Sequence, residues 1–174
     1  FNGMFGLAYL DHKNRQVLLA RDRFGLKPLY FAELSKTILF ASEIRSILIH
    51  PDYQMGLNAA ALSEYLAFQN IFGDQTLFAG IRTLPPGHVT AISLDPAPPA
   101  QGFTVAPYWQ PAFTGQGLAG DLEDLTDQLE HLLQRAVDRQ SQGMGQHRAY
   151  LSGGVDSALI VALLAQHHEK VQTF

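Results

Sequence analysis

Hydrophobic residues alternate with other residues near the start of the chain, at Phe5, Leu7 and Tyr9. Three more short apolar runs follow, over residues 16–20, 28–32 and 37–41. Alternation and short apolar runs of this kind predict β-strands. Polar turns at 11–14 and 34–36 are short enough to join neighbouring strands in antiparallel pairs. We therefore predict an antiparallel meander with one buried face.

After residue 41 the apolar residues recur at helical spacing. Ser42 is predicted to begin a short helix that ends at His50-Pro51 and carries Ile44, Ile47 and Leu48 on one face. Asn58 is a suitable N-cap for a second helix, whose apolar face is formed by Leu62, Tyr65 and Leu66. A further strand over 88–95 is predicted to complete this first domain.

The composition changes between residues 96 and 120 to Pro, Gly, Ala and Gln with few charges, which is typical of a linker. Asp121 is predicted to cap a long amphipathic helix whose apolar face packs into a second core. Residues 140–146 are predicted to end this helix before the next strand. That face is formed by Leu122, Leu125, Leu129, Leu132, Leu133, Ala136 and Val137. The predicted organisation is a domain over 1–95, a linker over 96–120 and a second domain over 121–174.

A strand, a glycine turn and a helix are predicted around residues 147–165. Two adjacent glycines, Gly153 and Gly154, let the backbone turn sharply, and the following helix directs its free N–H groups back at the turn. A helix N-terminus of this kind favours phosphate, and the hydroxyls of Ser152 and Ser157 add donors. The predicted pyrophosphate-binding residues are Leu151, Ser152, Gly153, Gly154, Val155, Asp156 and Ser157.

Asp156 makes the predicted site more specific. The loop has neither the Lys of a Walker A loop nor the spacing of a dinucleotide-binding fold. A carboxylate beside phosphate would repel it unless a divalent cation lay between them, so Asp156 predicts Mg²⁺ as a cofactor and itself as the ligand. The alternative is that Asp156 and Ser157 only cap the helix, for which both residue types are favoured.

Composition and charge exclude several other classes of protein. The net charge is −4 without a basic stripe, so no nucleic-acid partner is expected. There is no cysteine, and hence no disulfide framework. The most apolar helix, over 158–165, is shorter than the roughly 20 residues of a membrane span. We expect no membrane association and a cytoplasmic enzyme. The chain begins with Phe1 and ends in what is predicted to be the start of a parallel strand, 171–174, so a fragment is expected.

Two charged groups invite a functional interpretation. Arg21, Asp22, Arg23 and Lys27 could form a substrate clamp, but a charged turn between strands is the commoner arrangement and is the one we predict. The seven histidines show no metal-ligand spacing, and the neighbours His167 and His168 point in different directions on a helix, so no zinc site is predicted.

Two sets of motifs resemble a known family. Residues 152–157 resemble the S-G-G-x-D-S loop of the ATP pyrophosphatases. Four other segments follow in the order found in glutamine-hydrolysing asparagine synthetases. They are Phe1-Asn2-Gly3-Met4-Phe5-Gly6, Ala20-Arg21-Asp22-Arg23-Phe24-Gly25-Leu26-Lys27-Pro28-Leu29-Tyr30, Phe40-Ala41-Ser42-Glu43-Ile44 and Leu84-Pro85-Pro86-Gly87-His88.

The resemblance implies an α+β, antiparallel-sheet portion of an Ntn-hydrolase-like glutaminase, followed by the beginning of an α/β, parallel-sheet ATP-pyrophosphatase domain. It also implies that the intact protein amidates aspartate to asparagine with ATP, Mg²⁺ and glutamine or ammonia; a homodimer is left open. In that family an N-terminal cysteine hydrolyses glutamine. Because this chain has no cysteine, no catalytic glutaminase residue can be assigned in it.

Two alternatives use the same loop. One is a related ligase that amidates or cyclises another carboxylic acid, such as a β-lactam synthetase or a peptide or sugar amidotransferase. The other is a non-catalytic homologue that binds nucleotide or a partner. An intact Asp156 beside both glycines argues against the second, because a decayed site has little need of a carboxylate in a phosphate cradle.

Overall fold

The computed structural model describes residues 1–35, 37–95, 104–113, 115, 117–143, 145–168 and 170–174. The chain divides into two compact units, Phe1–Ala112 and Phe113–Phe174. Residues 96–103 of the predicted linker lie outside the described residues. Among those that are described, no helix combines the length and the apolar character needed to cross a membrane.

The first unit contains two antiparallel sheets. The strands are β1 (Gly6–Asp11), β2 (Gln16–Arg21), β3 (Tyr30–Glu33), β4 (Ile38–Ala41), β5 (Ile81–Thr83), β6 (His88–Ser93) and β7 (Val105–Pro107). One sheet has the strand order β1-β2-β6-β7, and the other the order β4-β3-β5. Antiparallel sheets were predicted, and their presence is confirmed.

The predicted meander is wrong in its topology. β2 pairs with β1 and β6, whereas β3 pairs with β4 and β5 in the other sheet. Residues 22–29 form a structured loop that leads from β2 in one sheet to β3 in the other. The N–H of Gly87 donates to the carbonyl oxygen of Asp22 at 2.9 Å, which places the beginning of β6 beside the end of β2.

Alternation along β3 gives the first unit two apolar clusters. Phe31 packs with Leu19 of β2 and with Leu29 and Leu84, joining the two sheets. The next residue, Ala32, points the opposite way and packs with a cluster formed by Ile47, Tyr53 and Ile81. Successive side chains of a strand point to opposite faces, so β3 is buried on both sides.

Two helices accompany these sheets, α1 (Ile44–Leu48) and α2 (Ala59–Phe68). α1 begins two residues after the predicted start at Ser42, because Glu43 is the N-cap residue, and it ends before His50-Pro51 as predicted. The Asn58 side chain accepts a hydrogen bond from the N–H of Ala61 at 3.2 Å, which confirms the predicted cap of α2. β7 falls inside the range predicted as a linker, yet it pairs with β6.

The second unit consists of α3 (Leu122–Ser141), β8 (His147–Ala149), α4 (Val155–His167) and β9 (Val171–Thr173). The Asp121 carboxylate accepts from the N–H of Asp124 at 3.0 Å, which confirms the predicted cap of α3. β8 and β9 pair in parallel. The apolar face of α3 is only partly covered, with Leu129 57% and Leu132 60% exposed. Two short strands and two helices have little surface to bury it.

Candidate functional site

The predicted phosphate loop joins β8 to α4. β8 and β9 are in register from the pair His147–Val171 to the pair Ala149–Thr173, with α4 as the crossover between them. The N–H of Leu151 donates to the carbonyl oxygen of Phe174 at 2.9 Å, and this bond continues the ladder into the loop. The loop therefore lies at the carboxyl ends of parallel strands, where α/β folds bind their ligands.

The backbone of the loop is open on one side. Gly153 has φ +84°, a conformation that favours glycine, and a Cβ at this position would meet no atom within 4 Å. Gly154 is the N-cap residue of α4, and no side chain caps that helix by a hydrogen bond. The first N–H groups of a helix have no intrahelical acceptor. The N–H groups of α4 therefore face a space that could receive a ligand.

Two serine hydroxyl groups lie beside each other in this loop. The Oγ atoms of Ser152 and Ser157 lie 3.1 Å apart. Ser157 also donates from Oγ to the carbonyl oxygen of Gly154 at 3.0 Å. The hydroxyl of Ser157 is thus bonded to a carbonyl and not to a free N–H, so it does not cap the helix in this structure.

Asp156 lies in the first turn of α4 and is exposed. Within the described part of the chain, its carboxylate forms no hydrogen bond or ion pair. The capping role that sequence reasoning offered as an alternative for Asp156 is therefore absent. A free carboxylate beside free N–H groups suits one ligand of a cation that also binds phosphate oxygens.

The charged segment that begins at Arg21 has a different arrangement. The Arg21 guanidinium donates to the carbonyl oxygens of Lys27, Gly25 and Leu84 at 2.8, 2.6 and 2.8 Å, and to Thr83 Oγ1 at 3.0 Å. Its donors are bonded to the protein itself. The predicted charged turn is confirmed, and the arrangement is not that of a clamp waiting for a ligand.

Asp22 organises the same loop, a role that sequence reasoning missed. The buried carboxylate accepts hydrogen bonds from the N–H groups of Phe24, Leu26, Lys27 and Phe5 at 3.1, 3.0, 3.0 and 3.3 Å. Burial by itself would raise the pKa of Asp22, but these four N–H donors outweigh it and lower that pKa. An Asp followed within five residues by Gly is the only available signal, and it is common to many turns.

The histidines give no metal centre. Among the described residues, no three His, Cys, Asp or Glu side chains are placed to hold a metal ion together. His147 and His168 nevertheless lie in contact, with ring centroids 3.5 Å apart. The two residues are far apart in the sequence, which gives no signal for this pairing.

Comparison with protein families gives two matches. Residues 1–109 match the glutamine amidotransferase domain, and residues 128–174 match asparagine synthase. The first match covers more than half of the chain and ends just after β7. The second begins inside α3 and includes the loop before α4.

Individual proteins match across both units. Asparagine synthetase [glutamine-hydrolyzing] 3 of Bacillus subtilis is 33% identical over 97% of this chain and 26% of its own length. Asparagine synthetase [glutamine-hydrolyzing] 2 of the same organism is 35% identical over 99% of this chain and 24% of its own. A more distant match is Amidase chry2 of Gibberella zeae, 28% identical over 94% of this chain and 23% of its own. The chain spans about a quarter of the length of these relatives.

Proposed function

Because the chain belongs to the glutamine-hydrolysing asparagine synthetase family, we propose that the protein containing it converts aspartate to asparagine. ATP supplies the energy, and glutamine or ammonia supplies the nitrogen. The substrates are therefore small molecules. A cytoplasmic location and a homodimer stay predictions.

The proposed domains follow the two units. The first unit is part of an Ntn-hydrolase-like glutaminase, and the second is the beginning of an α/β ATP-pyrophosphatase domain. The parallel pairing of β8 with β9 around α4 supports the second assignment. The pairing of β6 with β7 supports moving the end of the first domain from residue 95 past Pro107, which shortens the linker.

The proposed reaction has two steps. The side-chain carboxylate of the substrate aspartate is a poor electrophile and must first be activated. One of its oxygens attacks the α-phosphorus of ATP, and the bond from that phosphorus to the β-phosphate breaks to release pyrophosphate. Ammonia then attacks the activated carboxyl carbon. The bond from that carbon to AMP breaks, the nitrogen loses a proton, and asparagine and AMP are released.

In this proposal the loop holds the β- and γ-phosphates. The first N–H groups of α4 and the open backbone at Gly153 provide donors and room for the oxygens that gain charge as pyrophosphate leaves. Ser152 and Ser157 contribute hydroxyls, and Leu151 lines the nucleotide pocket. The stabilisation is electrostatic and already organised before the substrate arrives.

Asp156 is proposed as the ligand of Mg²⁺. Its exposed carboxylate has no partner among the described residues and lies beside the N–H groups of the first turn. One carboxylate together with phosphate oxygens and water is a common Mg²⁺ environment. A bound Mg²⁺ would neutralise phosphate charge, and this removes the repulsion that Asp156 would otherwise exert on pyrophosphate.

The observation that carries the proposal is the open glycine loop at the start of α4, with an unpartnered carboxylate in its first turn. It is tested by measuring pyrophosphate release from ATP, Mg²⁺ and ammonia by the full-length protein, with and without aspartate. We expect release to require aspartate and to fall by about 100-fold in Asp156→Asn. Asp127→Asn, which changes an exposed aspartate of α3, is the matched control and should leave release unchanged.

Two other results would redirect the proposal. Release triggered by a different carboxylic acid would keep the role of the loop and replace the acceptor. No release with any acid, with Asp156→Asn indistinguishable from the unaltered protein, would favour a non-catalytic homologue.

A further inference from the structure

Three histidines from two elements of the second unit meet where α3 and α4 end. His147 begins β8, His167 is the last residue of α4, and His168 is its C-cap residue. The rings of His147 and His168 are stacked, with centroids 3.5 Å apart and an interplanar angle of 26°. This stack connects the beginning of one element with the end of another.

The polar partners of the stack come from α3. His168 Nε2 lies 3.5 Å from Ser141 Oγ, at the end of that helix. His167 Nε2 lies 3.7 Å from Asp138 Oδ1 one turn earlier, a contact that becomes an ion pair when His167 is protonated. The stack thus joins three elements, β8, α3 and α4, at one place.

His147 is the most buried member of the group. It is 9% exposed, and among the described residues its ring forms no hydrogen bond. It lines a cavity of about 890 Å³, which is also lined by Asp138, His167, His168 and Lys170.

We propose that the stacked pair of His147 and His168 is a proton-responsive latch, which holds the ends of α3 and α4 and the beginning of β8 together at neutral pH and loosens them on acidification. Protonation of His168 puts a cation against the ring of His147. His167 and the cation Lys170 line the same cavity. Asp138 is the one carboxylate facing the group in the described part of the chain.

The surroundings of His168 favour its neutral form. Burial and then the neighbouring His147 and His167 lower the pKa of His168 below the ordinary histidine value of 6.5, while Asp138 acts in the opposite direction. A histidine whose pKa is lowered by folding favours the folded state fully above about 6.5. That stabilisation is lost as the pH falls through the lowered value, because the unfolded state then binds more protons.

β8 and α4 connect the latch to the glycine loop. β8 begins at His147 and ends at the loop, and α4 begins at the loop and ends at His167. Both elements that hold the loop are therefore anchored by the latch at their other ends. Loosening of these ends exposes backbone N–H groups near residues 163–168 and 138–147, and this exposure is measurable whatever reaction the protein catalyses.

The test is hydrogen–deuterium exchange of the full-length protein at about pH 7.5 and about pH 5.5, with rates corrected for intrinsic exchange. We expect peptides covering the ends of α3 and α4 to lose about fivefold in protection at the lower pH, and a peptide covering β2 to be unchanged. The double variant His147→Phe/His168→Phe keeps two stacked rings that cannot be charged, and should stay protected at both pH values.

Two further variants complete the test. His168→Gln removes the ring as well as the charge, and should be loosened at both pH values. His131→Gln changes an exposed histidine of α3, and should behave as the unaltered protein does. Equal protection of the unaltered protein at both pH values would overturn the proposal, as would acid loosening that persists in the double phenylalanine variant.

Discussion

Two loops of this chain each contain an aspartate and a glycine, but they use their backbone N–H groups in opposite ways. The loop over 22–27 and the loop over 152–157 each follow a strand, and each has one aspartate and a glycine with positive φ, Gly25 at +65° and Gly153 at +84°. In the first loop the Asp22 carboxylate accepts four backbone N–H groups. In the second, the Asp156 carboxylate accepts none among the described residues.

The difference lies in where the backbone donors are directed. A loop whose N–H groups are bonded to its own side chain has nothing left for a ligand, however many charges it carries. A loop whose N–H groups are free has a reason to bind an anion. The segment richer in charge is therefore the structural one, and the segment with a single charge is the candidate site.

Removal of each carboxylate should give the sharpest contrast in stability. Asp22→Ala leaves four N–H groups without their acceptor at a buried position, so we expect the free energy of unfolding to fall by about 3 kcal/mol. Asp156→Ala removes only a favourable interaction with the N-terminus of α4, and should lower the free energy of unfolding by less than about 1 kcal/mol. Urea unfolding measures both.

Two probes give the two units different weights in the 174-residue chain. Trp109 is the only tryptophan, and its ring contacts Phe24 of the first loop with centroids 5.2 Å apart, so its fluorescence follows the first unit. Circular dichroism reports all four described helices, and most of the helical residues belong to α3 and α4. Equal losses of stability from the two substitutions would show that the loops are not distinct in kind.

Substitution of the glycine in each loop tests the same comparison, with a smaller expected effect on the free energy of unfolding. Gly25→Ala should cost about 2 kcal/mol, because the residue has positive φ and its new Cβ would lie 2.8 Å from Pro86 Cγ and 3.0 Å from Arg21 Cζ. Gly153→Ala meets only the backbone cost of about 1 kcal/mol, since the space around it is open. The same urea experiments measure these differences.

Measurement of pyrophosphate release should distinguish the two glycine substitutions by function. The new methyl group in Gly153→Ala points into the space proposed for phosphate, so this variant should lose pyrophosphate release out of proportion to its small loss of stability. Gly25→Ala should lose release only to the extent that it unfolds. Full activity of folded Gly153→Ala would place the phosphates elsewhere.

Local features of the fold were predictable from sequence. Asn58 and Asp121 were identified as caps because their side chains need no distant partner to accept a nearby N–H. Sheet topology was not predictable in this way. The pairing of β2 with β6 depends on contacts between residues some seventy positions apart, which periodicity along the strand does not encode.

The same distinction between local and distant contacts applies to the two loops. The glycine loop was predictable because its glycines, serines and aspartate are consecutive and act through the adjoining helix. The role of Asp22 was not, since the N–H of Phe5, one of its four donors, comes from another segment of the chain. The stack of His147 on His168 was missed for the same reason.

The smallest expected effect is a difference in acid sensitivity. Because its N–H donors lower the pKa of Asp22 below 3.8, the stabilisation it gives is complete above that value and is lost as the pH falls below it. The melting temperature of the unaltered chain should therefore decline more steeply below about pH 4 than that of Asp22→Asn, which starts lower. Asp11, whose pKa is lowered mainly by hydrogen bonds from Asn14, contributes alike to both proteins and does not affect the difference. Parallel declines would mean that the four N–H groups do not distinguish the charged carboxylate from a neutral amide, and the contrast between the two loops would then rest on geometry alone.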